Sequence, residues 1–307
     1  MKRQKIVVAQ NLCLSEQQRE RLRKLGQAVF YDDFPDTVEE WLKRCQDADI
    51  ILCGKFGAKQ AIYNLENKFF SFPFVGYGWM DIQKCKEKNI NVAISPGCNK
   101  NAVAEWLIGF MINLLRQQCL FINIERKKAT YTGGGLATVG LKNKKVTILG
   151  KGNVGMKVGQ ICDALDMEVE YFLRGDDLFE KTKEADVVFN CLSHNPSTDK
   201  LLDKKFFDNL KRGAYFISAT SDDVFDSDAM LESINYGHLA GAGIDAGSIQ
   251  VGDYDNPYYQ KLLGNNKVLV TPHVAYNTDV TNLVCNDMMI DNVEAWVKGE
   301  PINLVTE

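Results

Sequence analysis

The sequence predicts an α/β fold made of two doubly wound, parallel-sheet domains. Three observations predict it. Short β-like runs alternate with helical stretches from end to end, the pattern of parallel sheets covered by helices on both faces. A glycine-rich loop stands directly after one of those strands and opens a helical stretch. The 307 residues also exceed what a single core usually serves.

The elements follow in order. A first strand spans Lys5 to Gln10, and Ser15-Glu-Gln-Gln18 places a serine three residues before a glutamine, the arrangement of a capped helix start. Thr37-Val-Glu-Glu40 repeats the device. Apolar runs at Ile50 to Leu52, Phe72 to Val75 and Asn91 to Ile94 complete a first sheet, and this unit closes near Ser95-Pro96-Gly97. Asn101 to Arg116 is nearly all apolar and reads as a largely buried helix bridging two domains. Thr132-Gly-Gly-Gly135 is a flexible break. Beyond it, strands are expected at Lys144 to Leu149, Glu168 to Phe172, Val187 to Leu192, Ala214 to Ser218, Leu239 to Ile244 and Val268 to Thr271. A last helix, Val280 to Lys298, carries an apolar stripe that needs a surface, and the first domain offers one.

Composition excludes several classes. With 45% hydrophobic and 25% charged residues the chain is of ordinary globular type, and no apolar run reaches the length of a membrane span. No secretory segment is visible behind Met1-Lys2-Arg3, so a cytoplasmic protein is expected. Nine scattered cysteines without metal-ligand spacing fit reduced, mostly buried thiols better than disulfides or zinc. No metal site is expected. A net charge of −4, with basic runs no longer than pairs such as Lys144-Lys145, gives nucleic acid little to hold and leaves a small molecule as the expected partner.

The loop Gly150-Lys-Gly152-Asn153-Val154-Gly155 follows the strand ending at Leu149, so its three glycines have the context of a dinucleotide site. The first permits a tight turn, the second lets a pyrophosphate approach the backbone, and the third lets helix and strand pack closely. The fold is therefore Rossmann-like or flavodoxin-like. An acidic residue at the end of the next strand would bond the ribose hydroxyls of NAD, but Leu173 stands there, followed by Arg174. A guanidinium suits the 2′-phosphate of NADP, so NADP is favoured over NAD, with Asp176 and Asp177 as ribose partners if the loop folds back.

Val75-Gly-Tyr-Gly78, Gly97-Cys-Asn99 with Val103-Ala-Glu105, the glycine loop, Lys211-Arg-Gly-Ala-Tyr215, Gly237-His-Leu-Ala-Gly241 and Thr271-Pro-His273 occur in the order of one family. The chain resembles the D-isomer-specific 2-hydroxyacid dehydrogenases over nearly its whole length. The resemblance implies a catalytic domain from residues 1–97 plus 275–307, a dinucleotide-binding domain at 98–274, a cleft between them, and a homodimer. It further implies reduction of a 2-keto acid with NAD(P)H by a histidine that gives the proton, an acid that supports it and an arginine that grips the substrate carboxylate.

His273 matches the histidine. Ser221 stands where the arginine is expected and Gln250 where the acid is expected, and neither replacement keeps the charge. Cofactor lining is expected from Leu192, Thr198, Ala219 and Asp245, with His194 near the rim and His238 structural. Gly78 lies in the family's carboxylate clamp, where Tyr77 and Trp79 place aromatic groups that either line a substrate site or belong to the core. Lys55 could supply the missing positive charge; Ser248, Asp222 and Asp223 are further candidates.

Three functions are consistent with these residues. The leading one is a divergent NAD(P)-dependent oxidoreductase that reduces a carbonyl or imine with His273 as proton donor and an atypical substrate anchor. The others are a conventional D-2-hydroxyacid dehydrogenase with a rebuilt anion clamp, and a cofactor-binding sensor without catalysis.

Overall fold

The computed structural model describes residues 3–127 and 138–306. The chain forms two compact units, Met1–Asn99 with Asn277–Glu307, and Lys100–Tyr276. The first unit begins with β1 (Lys5–Val8), α1 (Glu16–Leu25), β2 (Gln27–Phe30), α2 (Val38–Cys45), β3 (Ile50–Leu52), α3 (Ala58–Ala61), β4 (Lys68–Ser71), α4 (Ile82–Glu87) and β5 (Ile90–Ala93). The second opens with α5 (Lys100–Arg116), α6 (Gln118–Arg126), β6 (Lys145–Leu149), α7 (Asn153–Ala164), β7 (Glu168–Phe172) and α8 (Leu178–Thr182). It continues with β8 (Val187–Asn190), α9 (Lys204–Asn209), β9 (Tyr215–Ser218), α10 (Ser227–Asn235), β10 (Gly241–Asp245), α11 (Pro257–Leu263) and β11 (Val268–Thr271), after which α12 (Asp279–Lys298) returns to the first unit.

Both sheets are parallel throughout. The first has the order β2-β1-β3-β4-β5 and the second β11-β10-β9-β8-β6-β7. Each therefore starts in its interior and winds outward both ways, which leaves a crevice at the carboxyl ends where the direction reverses. In the second sheet that switch lies between β6 and β8.

The strands are apolar on both faces because both faces are covered. Val7 and Ile51 enter one core cluster around Trp41 and Phe70, while their neighbours Ile6, Val8, Ile50 and Leu52 enter another around Leu22 and Met289. α12 supplies much of the second layer: Trp296 stacks on Phe69 at 4.3 Å, and Asn292 donates to the Ile94 carbonyl at 2.8 Å. The stripe of the last helix thus finds its surface in the first unit, as expected.

Ser15 caps α1 with both halves of a capping box, its hydroxyl accepting the Gln18 amide while the Gln18 side chain accepts the Ser15 amide at 3.0 Å. Thr37 caps α2, but Glu40 turns to the Asp36 amide rather than completing the box. Phe72 to Val75 is not a strand; β4 lies earlier, at Lys68–Ser71. The physical reason is Pro73, which cannot donate to a ladder. The short edge strand β2, with Gln27 exposed, has too weak a pattern to be read in advance. The Thr132 to Gly135 break lies outside the described residues.

The expectation of reduced cysteines fails at one pair. Cys98 and Cys285 form a disulfide within the first unit, 187 residues apart in sequence. The return of α12 creates the pairing, so spacing could not reveal it. Cys45, Cys53, Cys85 and Cys162 are free and buried, in keeping with core thiols. Among the described residues no single helix is long and apolar enough to cross a membrane. α5 and α6 pass together only as a pair bent by 64°, and α5 is embedded in the core of its unit.

Candidate active site

Six parallel strands send the loops after β6, β7, β8, β9, β10 and β11 to one edge of the second sheet, and these loops carry the expected cofactor and catalytic residues. Gly150 has φ +94°, and a Cβ on it would stand 3.1 Å from the Cys191 carbonyl oxygen, so the loops after β6 and β8 meet closely at the switch point. A Cβ on Gly155 would lie 2.1 Å from the Gly150 carbonyl oxygen. Gly152, in contrast, faces open space. α7 has no side-chain cap, and its first helical bond runs from the Met156 amide to the Gly152 carbonyl at 2.9 Å. The amides of Asn153, Val154 and Gly155 precede that bond, which suits a pyrophosphate at the positive end of a helix.

At the end of β7, Leu173 and Arg174 are exposed. Asp176 accepts the Leu173 amide at 2.8 Å, and Asp177 caps α8 by accepting the amides of Phe179 and Glu180. Both acids are folded into their own turn, and among the described residues Arg174 has no carboxylate partner.

In the loop after β8, the half-buried Leu192 donates its amide to Asn190 Oδ1 at 3.3 Å. The Thr198 hydroxyl donates to the Ser193 carbonyl at 2.8 Å and accepts the Asn195 amide at 2.9 Å, so it closes its own loop. His194 meets Asp199 at 2.9 Å, and His238 bonds the Leu210 carbonyl at 2.8 Å, a structural role as read. Asn190, fully buried, ties the ends of β8 and β9 through Ser218 and Thr220, with the half-buried Ala219 between them.

His273 stands just past β11 with φ +51°, an uncommon conformation for a residue with a side chain. Its exposed ring packs edge-on against Tyr276 at 5.6 Å. Asp245, at the end of β10, holds this loop: Oδ1 accepts the Thr271 hydroxyl at 2.6 Å and the Val274 amide at 2.9 Å, and Oδ2 accepts the Ala275 amide at 2.9 Å. With the residue only 2% exposed, its carboxylate is engaged by the loop on either side of His273.

Ser221 and Gln250 occupy the loops after β9 and β10, but no hydrogen bond joins either to His273 among the described residues. The Ser221 hydroxyl donates to Asp223 at 3.0 Å and caps a short 3-10 turn, Asp222–Val224. The Gln250 side chain is exposed. Asp222 links the two loops, accepting the Ser248 amide at 2.9 Å, the Ser248 hydroxyl at 2.5 Å and the Tyr258 hydroxyl at 3.3 Å. Burial, then the neighbouring Asp222 charge, raises the Tyr258 pKa. Sequence reading named Asp222 and Ser248 only as candidates and missed Tyr258, whose partner lies 36 residues away.

In the first unit, Trp79 belongs to the core: its ring packs edge-on against Phe72 at 6.1 Å and its indole N–H donates to the Gly76 carbonyl at 3.2 Å. Tyr77 is 39% exposed, and Gly78 meets nothing where a Cβ would stand. Lys55 is an exposed residue, but its ammonium lies 5.5 Å from the Phe74 ring centroid, and lost hydration, then the Lys59 charge, lowers its pKa.

The glycine loop at the switch point, with an uncapped helix behind it, has the geometry of a dinucleotide-binding domain. Residues 108–275 match the model of the D-isomer specific 2-hydroxyacid dehydrogenase NAD binding domain, and the chain belongs to that family, whose members act on CH–OH groups. It is 25% identical to the hydroxypyruvate reductase of Blautia hydrogenotrophica, over 99% of this chain and 100% of that one. Two solved structures share the fold at 22% identity. An acyclic imino acid reductase in complex with NADPH and D-Arg has a TM-score of 0.84 over 98% of this chain and 99% of its own. A glyoxylate reductase from Paecilomyes thermophila has a TM-score of 0.83 over 99% of both chains.

Proposed function

We propose that this protein reduces a carbonyl or imine carbon with NADPH in preference to NADH, His273 giving the proton. The observation that carries the reading is the Asp245 clamp, which commits a buried carboxylate to holding an exposed, left-handed histidine at the edge that bears the glycine loop. The dinucleotide, when bound, supplies the hydride. The amides of Asn153, Val154 and Gly155 take its pyrophosphate, and Arg174 takes the 2′-phosphate. As the substrate carbon accepts the hydride, its oxygen or nitrogen gains negative charge and takes the proton from the His273 ring. Leu192, Thr198 and Ala219 line the cofactor side, Thr198 by fixing its loop.

Ser221 and Gln250 are neutral where the family resemblance implies an arginine and an acid, and the Ser221 hydroxyl already serves Asp223. A substrate not held by a carboxylate–arginine pair fits this edge, and imines fall within the reach of the fold, given the neighbour solved with NADPH. Tyr77 and Gly78 are proposed for the substrate side, Tyr77 as the exposed member, with Trp79 supporting their loop from the core. A second reading, a conventional 2-keto acid reductase anchored by Lys55, is favoured by the full-length similarity to a hydroxypyruvate reductase.

A homodimer and a cytoplasmic location complete the proposal. α6 buries none of its residues and exposes Leu120, Phe121 and Ile122, a surface suited to association. The seven free thiols accord with a reducing compartment, whereas the Cys98–Cys285 bond does not. The test is titration with NADPH and NADH, followed by cofactor oxidation with 2-keto acids, carboxylate-free carbonyls and imines. Turnover of imines or carboxylate-free carbonyls, without that of simple 2-keto acids, supports the leading reading. Brisk reduction of simple 2-keto acids overturns it in favour of the second.

A further inference from the structure

We infer that Lys151, between the first two glycines of the loop, is the second cation of a subsite for a ribose-bound phosphate monoester, acting with Arg174. The inference rests on the proposed preference for NADPH and adds to it a residue that determines the specificity. Lys151 is exposed and makes no ion pair among the described residues. Its ammonium is nevertheless placed: it lies 4.9 Å from the ring centroid of Tyr171, on β7. Tyr171 is itself fixed, since its hydroxyl lies so close to Gly159 of α7 that a Cβ there would stand 1.9 Å from it. The lysine is thus drawn toward the end of β7, the strand whose following loop carries Arg174.

The loops bearing the two cations leave neighbouring, paired strands. Leu149 of β6 pairs with Phe172 of β7, and the Gly150 amide donates to the Phe172 carbonyl at 3.1 Å. The nearby acids are already engaged. Asp176 accepts the Leu173 amide, Asp177 caps α8, and Glu170 pairs with Lys181 at 2.5 Å. Two uncommitted cations beside acids that already accept hydrogen bonds suit a dianionic group better than a neutral diol. The guanidinium offers a planar two-donor face and the ammonium a compact charge.

The test is the affinity of the full chain for NADPH, NADH, 2′,5′-ADP and 5′-AMP, in wild type, Lys151→Met, Lys151→Arg and Arg174→Ala. Lys151→Met is expected to weaken NADPH and 2′,5′-ADP about five- to tenfold and NADH and 5′-AMP less than about twofold, with Lys151→Arg restoring most of the loss. Equal weakening of both cofactors would place Lys151 on the pyrophosphate, and no change in either would make it a solvated side chain; both overturn the inference. A wild-type preference for NADPH that survives Lys151→Met but is lost in Arg174→Ala overturns the inference alone. A wild type with no preference for NADPH overturns the underlying reading together with it.

Discussion

Asp245 accepts the amide of Ala275 at 2.9 Å, two residues past His273, and so ties the end of β10 to the turn that presents the histidine. The Thr271 hydroxyl and the Val274 amide complete the clamp on the other oxygen. Hydrogen bonds to a buried carboxylate are among the stronger ones, and deleting the acceptor strands two amides. Asp245→Ala should therefore lower stability by about 2–4 kcal/mol, and Asp245→Asn by about half of that. Urea unfolding measures the loss. If Asp245 acts by placing His273, turnover in Asp245→Asn should fall more than NADPH affinity does, and equal falls would point instead to direct cofactor contact.

The three glycines of the loop should separate by function when each is changed to alanine. Gly155→Ala drives a Cβ into the Gly150 carbonyl oxygen, a backbone atom that cannot step aside, and is expected to cost about 2–3 kcal/mol of stability. Gly152→Ala meets no atom of the protein, so the apo chain should melt within about 0.5 kcal/mol of wild type while its dinucleotide affinity falls at least about tenfold. Thermal melts and cofactor titration of the two variants check both halves. Unchanged affinity in Gly152→Ala would remove the pyrophosphate from this loop.

What could be read from the sequence was what is local. The glycine loop, the Ser15 cap and the strands Glu168–Phe172 and Val268–Thr271 are encoded within a few neighbouring residues, and each stands where expected. Phe72 to Val75 misled because an apolar run ignores the missing donor of Pro73. The site was legible as a set of loops but not as contacts. Asp245 meets partners 26 to 30 residues downstream, and Asp222 meets Tyr258 across 36, distances over which no spacing rule operates. Ser221 stands where an arginine is expected, but the sequence does not show that its hydroxyl is already given to Asp223 two residues on.

The Cys98–Cys285 bond predicts a thiol count. Denatured without reductant, the chain should show seven reactive thiols, and nine after reduction. Because the bridge closes a loop of 187 residues, removing it with Cys98→Ser and Cys285→Ser should cost about 2–4 kcal/mol under non-reducing conditions. The same double variant should match the reduced wild type. Nine thiols without reductant would mean that the pair is not oxidised in the purified protein.

Alkaline pH should destabilise the fold through its buried thiols. Burial pushes Cys45 and Cys162 from 9.0 up to about 12, and Tyr258 is likewise raised above 10.0. In the unfolded chain these groups lose their protons near their ordinary values, whereas in the folded chain they keep them. Above pH 9 the folded state therefore binds more protons than the unfolded one, and stability falls as pH rises. Each thiol contributes a slope approaching about 1.4 kcal/mol per pH unit between the two pKa values. The contribution is fully present below pH 9 and is lost by about pH 12. Cys162→Ala removes one such group from the core beneath α7. It should cost stability at pH 7 through the lost sulfur, yet give a shallower decline between pH 9 and 10.5 in urea midpoints followed across that range. An unchanged slope would show that ionisation of this thiol does not distinguish the folded chain from the unfolded one.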